Sequence, residues 1–285
     1  MKRILIQLDT DPLPSTFDRV VAIDAGVDEL LSYGGVTPEN VVPLVHGAIF
    51  TRAPKDLQNT AIFIGGSDVP HAEKVLEKVL ATFFGPMRVS VMMDASGSDT
   101  TAAAAVRSVS RHLTLKGAEA LVLGGTGPVG QRTAQILASQ GAIVRVASRS
   151  LQRADAVAAT IRHRVPGAKV TPCDSSDDGL AAAVDGINLL ISAGAAGVQF
   201  LKAEEWQQIE TLKVAVDLNA VAPLGLEGIE VSDRAVEHNG IVCYGALGVG
   251  GLKMKIHRAA IEKLFTGSDF VLDTSAIYGL SQEIL

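Results

Sequence analysis

One segment constrains the fold more than any other. An apolar run at residues 118–123 passes through Gly124 into Gly125-Thr126-Gly127-Pro128-Val129-Gly130, after which Val129, Thr133, Ile136 and Leu137 recur at helical spacing. A glycine-rich turn this short carries the chain from a strand directly into a helix, because glycine reaches backbone angles that other residues avoid. A second apolar run at 143–147 completes a strand–loop–helix–strand unit, and runs at 189–192, 214–218 and 241–244 continue the alternation. Strands joined through helices lie parallel and are covered on both faces, so the segment predicts a doubly wound parallel sheet.

The N-terminal part reads as a smaller α/β domain. Residues 4–8, 60–64 and 89–93 are strand-like, and between the last two Val75, Leu76, Val79, Leu80 and Phe83 repeat at helical spacing across 69–84, with Gly85-Pro86 ending the helix. Alanines 102–105 suggest a helix crossing between domains. After Gly251, residues 252–265 and 274–284 read as amphipathic helices returning to the first domain. The expected division is therefore 1–106 with 252–285, and 107–251 between them. A chain of 285 residues is long enough for two such cores.

Composition excludes several classes. With 47% hydrophobic and 20% charged residues the chain is not disordered, and 25 basic against 31 acidic side chains, a net charge of −6, argue against a broad face for nucleic acid. Cys173 and Cys243 stand too far apart to suggest a disulfide framework or a zinc site, and they suit a reducing cytoplasm. The six histidines show no metal-ligand spacing, so no metal is expected. Asp9 and Asp11 interrupt the N-terminus before any signal-length apolar stretch, and no run is long enough to span a membrane, which gives a soluble, cytoplasmic expectation. Trp206 reads as a core anchor.

In its context the glycine loop points to a dinucleotide. Gly125 is expected to allow the tight turn, Gly127 the approach of backbone N–H groups to a pyrophosphate, and Gly130 close helix–sheet packing, while the helix start supplies positive potential. About 20 residues on, where a carboxylate usually bonds the ribose hydroxyls of NAD, the chain presents Ser148, Arg149 and Ser150, with Arg153 one turn later. Without the carboxylate a 2′-phosphate escapes repulsion and gains donors. NADP is the expected cofactor; NAD also fits, since no donor here rejects a plain hydroxyl.

Beyond the loop, several segments carry a family likeness: Leu8-Asp9-Thr10-Asp11 with Phe17-Asp18, Thr60-Ala61-Ile62-Phe63-Ile64-Gly65-Gly66, Phe84-Gly85-Pro86, Asp94-Ala95-Ser96-Gly97-Ser98-Asp99-Thr100-Thr101-Ala102, and Tyr244-Gly245-Ala246-Leu247-Gly248-Val249-Gly250-Gly251-Leu252-Lys253. Together they make the chain resemble the bacterial NADP-dependent methylene-tetrahydromethanopterin dehydrogenases of one-carbon metabolism and, more distantly, the methylene-tetrahydrofolate dehydrogenases. The resemblance spans nearly the whole chain. It implies a Rossmann-type NADP domain, a pterin-binding domain completed by the C-terminal helices, a cleft that closes over both substrates, a homo-oligomer, and reversible hydride transfer between the methylene carbon of a reduced pterin and nicotinamide C4. It also implies Lys253 as a cleft residue. The family pattern after the second strand is often Gly-Arg-Lys; Ser148-Arg149-Ser150 carries one cation fewer, which loosens the expected selectivity for NADP.

Oxidising a carbon held between two nitrogens gives a cation that both nitrogens share, so the chemistry demands alignment and exclusion of water rather than a nucleophile or general base. Lys253 is the candidate for the catalytic role. Asp18 and Asp94 are candidates for pairing with the amino-pyrimidinone edge of a pterin, since a carboxylate accepts two N–H groups side by side; as helix caps they would have a purely structural role. Thr100 and Thr101 either contact substrate or open the Ala-rich helix, and His257, four residues beyond Lys253, shares its helical face. Two other readings stand beside this one: a dehydrogenase acting on the tetrahydrofolate carrier, and an NADPH-binding sensor without catalysis.

Overall fold

The alternation seen in the sequence is realised in a computed structural model that describes residues 1–284. The chain begins with β1 (Ile4–Asp9), α1 (Thr16–Asp24), β2 (Glu29–Tyr33), α2 (Val42–Phe50), β3 (Thr60–Gly65), α3 (Val69–Thr82), β4 (Ser90–Met93) and α4 (Ser98–Val109). It continues through β5 (Glu119–Leu123), α5 (Pro128–Ser139), β6 (Ile143–Ser148), α6 (Leu151–Arg164), β7 (Lys169–Asp174), α7 (Asp177–Ala183), β8 (Leu189–Ser192), α8 (Ala203–Trp206), β9 (Val214–Asp217), β10 (Arg234–His238) and β11 (Ile241–Tyr244). It ends with α9 (Ala246–Leu264), β12 (Val271–Leu272) and α10 (Thr274–Gln282). Two units result: Met1–Thr100 with Met254–Leu285, and Thr101–Lys253.

The first unit holds a five-stranded, wholly parallel sheet in the order β2-β1-β3-β4-β12. All six residues of the central β3 are buried, as expected for a strand covered on both faces. Asp68 caps α3 by accepting from the His71 amide at 3.0 Å, and Pro70 occupies the first turn, where its missing N–H costs nothing. Val75 and Val79 from α3 meet Ile62 and Ile64 from β3 in one core, each buried side chain contributing about 1.5–3 kcal/mol.

The second unit holds a seven-stranded sheet in the order β7-β6-β5-β8-β9-β11-β10, parallel throughout except for β10 against β11. Its order reverses between β5 and β8, the switch point of a Rossmann sheet, where loops at the carboxyl ends of adjacent strands diverge and leave a crevice. Trp206 is fully buried and donates Nε1–H to the Glu227 carbonyl at 2.9 Å, which makes it a core anchor as expected. Among the described residues no helix is long and apolar enough to cross a membrane.

The structure departs from the sequence reading at two kinds of place. The strands β2, β7, β10 and β12 were not expected, and they are the four edges of the two sheets. The helix expected from Leu252 begins at Ala246, so Gly248, Gly250 and Gly251 lie inside α9 and Lys253 sits in its interior rather than at its start. Gly248 is there for contact: a Cβ would lie 1.8 Å from the Asp233 carbonyl oxygen.

Candidate functional site

The crevice of the second unit is a cavity of about 380 Å³ at the carboxyl ends of β5, β6 and β8. Its floor is the glycine loop. Gly124 takes the left-handed turn (φ 64°), and a Cβ there would lie 2.6 Å from the Cα of Gly194. The tight turn assigned to Gly125 therefore belongs to Gly124. Gly125 is needed for a different reason, since its Cβ would meet Val146 Cγ1 at 2.7 Å. Gly130 packs as expected, a Cβ there meeting the Gly124 oxygen at 2.5 Å.

Gly127 differs from these three. A Cβ on it would have nothing nearer than the Gly124 oxygen at 3.4 Å, so the protein's own packing does not demand glycine. Gly127 lines the cavity and is the N-cap of α5, followed by Pro128 and Val129 in the first turn. Open space at this glycine, beside the unsatisfied N–H groups that begin a helix, fits a pyrophosphate.

The rim above β6 carries the other expected residues. Ser148, Arg149, Ser150 and Arg153 all line the cavity together with Thr126. Thr126 Oγ1 and Ser148 Oγ lie 3.3 Å apart, Ser148 Oγ accepts from the Ser150 amide at 3.2 Å, and Ser150 Oγ caps α6 by accepting from the Arg153 amide at 3.3 Å. Arg149 and Arg153 are exposed, and among the described residues neither guanidinium has an ion-pair or hydrogen-bond partner. The nearest strand-end carboxylate, Asp174, is turned onto the Ser176 hydroxyl and amide, which hold its pKa below the usual carboxylate value.

The opposite wall escaped the sequence reading. The Ala193-Gly194-Ala195 segment after β8, with Val198 and Phe200, closes the cavity, and the Phe200 ring lies where a Gly194 Cβ would be, 2.2 Å from it. Its only signal was the run of small residues after an apolar strand.

The first unit has its own switch point, between β1 and β3. Asp18 stands in the first turn of α1, half-buried, and Gly65 ends β3; a Cβ on Gly65 would lie 3.3 Å from Asp9 Oδ2 and 3.7 Å from Asp18 Oδ2, so the two carboxylates converge on one point. The Asp9 carboxylate holds the following turn through the Asp11 and Ser15 amides at 2.9 and 3.0 Å.

Three expected substrate ligands are turned inward instead. Asp94 is 1% exposed and accepts from the Asp99 and Thr100 amides at 2.9 and 3.0 Å and from the Thr100 hydroxyl at 2.6 Å, so Asp94 and Thr100 build the start of α4. His257 is fully buried, stacked on Phe63 at 5.7 Å between ring centres, with Nδ1 3.9 Å from Asp94 Oδ2. The sequence reading placed these groups by type; burial makes them supports. Thr101 and Lys253 are half-buried.

The N-terminal model of methylene-tetrahydromethanopterin dehydrogenases matches residues 16–96. The chain is 46% identical over 286 residues, 99% of each chain, to the bifunctional protein MdtA of Methylorubrum extorquens. It is 36% identical over 281 residues, 95% of this chain and 94% of the other, to the NAD(P)-dependent methylenetetrahydromethanopterin dehydrogenase of the same organism. Among solved structures, quinate dehydrogenase from Corynebacterium glutamicum in complex with NAD shares the fold at 15% identity, with a TM-score of 0.56 over 99% of each chain. Shikimate 5-dehydrogenase from Listeria monocytogenes in complex with shikimate and NAD does so at 11% identity and a TM-score of 0.55, over 98% of this chain and 96% of that one. Full-length identity at this level, joined to the matching N-terminal segment, shows that the chain belongs to the methylene-tetrahydromethanopterin dehydrogenase family.

Proposed function

We propose that the chain catalyses the reversible oxidation of methylene-tetrahydromethanopterin to methenyl-tetrahydromethanopterin by direct hydride transfer to NADP, with NAD as a weaker alternative. The observation that carries the reading is the cavity of the second unit, whose uncrowded Gly127 and two exposed arginines, without a partner among the described residues, occur in a chain of this family. NADP, when bound, supplies the hydride acceptor.

The residues divide the remaining work. The Gly124–Gly127 turn and the first amides of α5 hold the pyrophosphate. Arg149 and Arg153, helped by the Ser148 and Ser150 hydroxyls, bind the 2′-phosphate through charge-assisted hydrogen bonds. Asp18 accepts from the amino-pyrimidinone edge of the pterin, and Gly65, lacking a side chain, leaves room for it. Thr101 and Lys253 act as hydrogen-bond donors toward substrate. Asp94, Thr100 and His257 act at one remove, by fixing the start of α4 and the packing on Phe63. No side chain is asked to move a proton, because the hydrogen leaves carbon with both electrons of the broken C–H bond and the positive charge of the product is shared by two nitrogens.

A homo-oligomer in the cytoplasm belongs to the same proposal; the separated free thiols Cys173 and Cys243 accord with a reducing compartment. The test is absorbance at the NADPH band when the protein meets NADP and methylene-tetrahydromethanopterin. A rise supports the reading. A flat trace from folded protein that still binds NADPH favours a sensor, and a rise only with the tetrahydrofolate carrier reassigns the substrate.

A further inference from the structure

The antiparallel edge of the second sheet carries a bulge. Val236 pairs with Cys243 and the next pair is Arg234 with Tyr244, so Ala235 is an extra residue, held at a left-handed φ of 56°. An alanine takes that angle only at a cost in energy, and a bulge re-aims the residues beside it. Here it sets Arg234 opposite Tyr244, and residues opposite one another in a ladder share a face of the sheet. Tyr244, 4% exposed, reaches in turn to His112: its hydroxyl lies 2.8 Å from His112 Nε2. Arg111 precedes His112 in the turn that follows α4.

Two guanidinium groups from distant parts of the chain therefore act on one phenol. Burial pushes the Tyr244 pKa up, and the charges of Arg111 and Arg234 both pull against that rise. Both arginines are exposed, and among the described residues neither has an ion-pair or hydrogen-bond partner. Asp233, next to Arg234, gives no relief, since its carboxylate is taken by the Glu230 amide at 3.0 Å and by His238 Nε2 at 2.8 Å. Cations gathered without a carboxylate repel one another, and an anion that accepts from both offsets that repulsion.

Tyr244 is the last residue of β11, which runs parallel to β9, so the group stands at the carboxyl-end rim of the sheet. The nucleotide cavity opens on the same rim, yet none of these four residues lines it. Three strand steps separate β5 from β11, roughly 14 Å. We infer that Arg111, Arg234, His112 and Tyr244 form a second oxyanion site on this rim, for a phosphate or a carboxylate, apart from the phosphates of the nucleotide. A guanidinium fork donates two parallel bonds to either group. The oxyanion is a free anion or the acidic tail of the pterin carrier, whose reacting carbon has to meet the nicotinamide. That second source rests on the proposed reaction; the site does not.

The test is calorimetric titration of the intact protein, saturated with NADP so that Arg149 and Arg153 are occupied, with inorganic phosphate against chloride of equal ionic strength. Arg111→Ala and Arg234→Ala, both at exposed positions, should each weaken phosphate binding by about tenfold, the loss of one charge-assisted contact. Lys169→Ala removes an exposed cation elsewhere in the same unit and should leave binding within about twofold of wild type. p-Aminobenzoyl-glutamate, the tail of the folate carrier without its pterin, separates the sources: displacement of bound phosphate assigns the site to the carrier tail, and no displacement assigns it to a free anion. Phosphate that binds wild-type protein no better than chloride overturns the inference, as does equal phosphate affinity in wild type and both arginine variants. If NADP itself does not bind, the cofactor reading fails, and the same titration on protein carrying Arg149→Ala and Arg153→Ala still decides the oxyanion site.

Discussion

Replacing Arg149 by Ala separates the two nicotinamide cofactors. In the structure Arg149 is exposed, lines the cavity and has no ion-pair or hydrogen-bond partner among the described residues, so its removal leaves nothing unpaired and stability should shift by no more than about 0.5 kcal/mol. A charge-assisted contact to phosphate contributes about 1.5–3 kcal/mol, and an exposed site in water lies at the low end. About 1.5 kcal/mol corresponds to a tenfold loss of NADP affinity. Adding Arg153→Ala should bring the loss to about a hundredfold if the two contacts act independently. NAD has no 2′-phosphate and should change by less than about twofold. Calorimetric titration of both cofactors at low and high salt gives the answer, because a phosphate contact at an exposed site weakens with ionic strength. Equal losses for NADP and NAD, or a loss insensitive to salt, would refute the reasoning.

Other residues carry sharper structural expectations. Gly127→Val should raise the NADPH dissociation constant by about a hundredfold or more while the protein still melts cooperatively, since the first added carbon has room but the branch points into the pyrophosphate position; unchanged affinity in fluorescence titration means the loop is misread. Lys253→Ala should lower turnover on the methylene-pterin by about tenfold and leave NADP affinity as it is, and wild-type turnover would remove Lys253 from the site. Asp94→Ala should cost about 2–4 kcal/mol in urea unfolding, because a buried carboxylate that holds two amides and a hydroxyl at the start of α4 is lost; a stability within error of wild type contradicts that role. Burial pushes the thiols of Cys173 and Cys243 up to about 11 and about 12 from 9.0. At pH 8 native Cys173 should therefore alkylate about a hundredfold more slowly than a free thiol. Both thiols ionise more easily in the unfolded chain, so this contribution to stability is complete below about pH 9 and is lost as pH rises through their folded values.

The central strands were legible in the sequence and the edges were not. β3, β5 and β8 each carry an unbroken apolar run (residues 61–64, 120–123 and 189–191), all of it buried, whereas β7 reads Lys-Val-Thr-Pro-Cys-Asp and β2 alternates exposed with half-buried positions. Pro172 is tolerated because β7 is an outer strand. β12, two residues long, has no pattern to read. In the site, a local motif revealed the loop and the arginines, since a strand, a turn and a helix start are contiguous in the chain. Asp94 and His257 lie 163 positions apart and meet only in the fold, so nothing in either segment announced that both would be buried. Gly124 was passed over because the motif count begins at Gly125; the left-handed angle that identifies the turn is a property of the backbone.

The most direct measurement of the central claim is the fate of a labelled hydrogen. Methylene-tetrahydromethanopterin carrying deuterium on its bridging carbon, incubated with the protein and NADP in ordinary water, should yield NADPH with one deuterium at nicotinamide C4 by mass spectrometry. NADPH that contains only solvent hydrogen, or no NADPH from protein shown to bind both partners, would contradict direct hydride transfer.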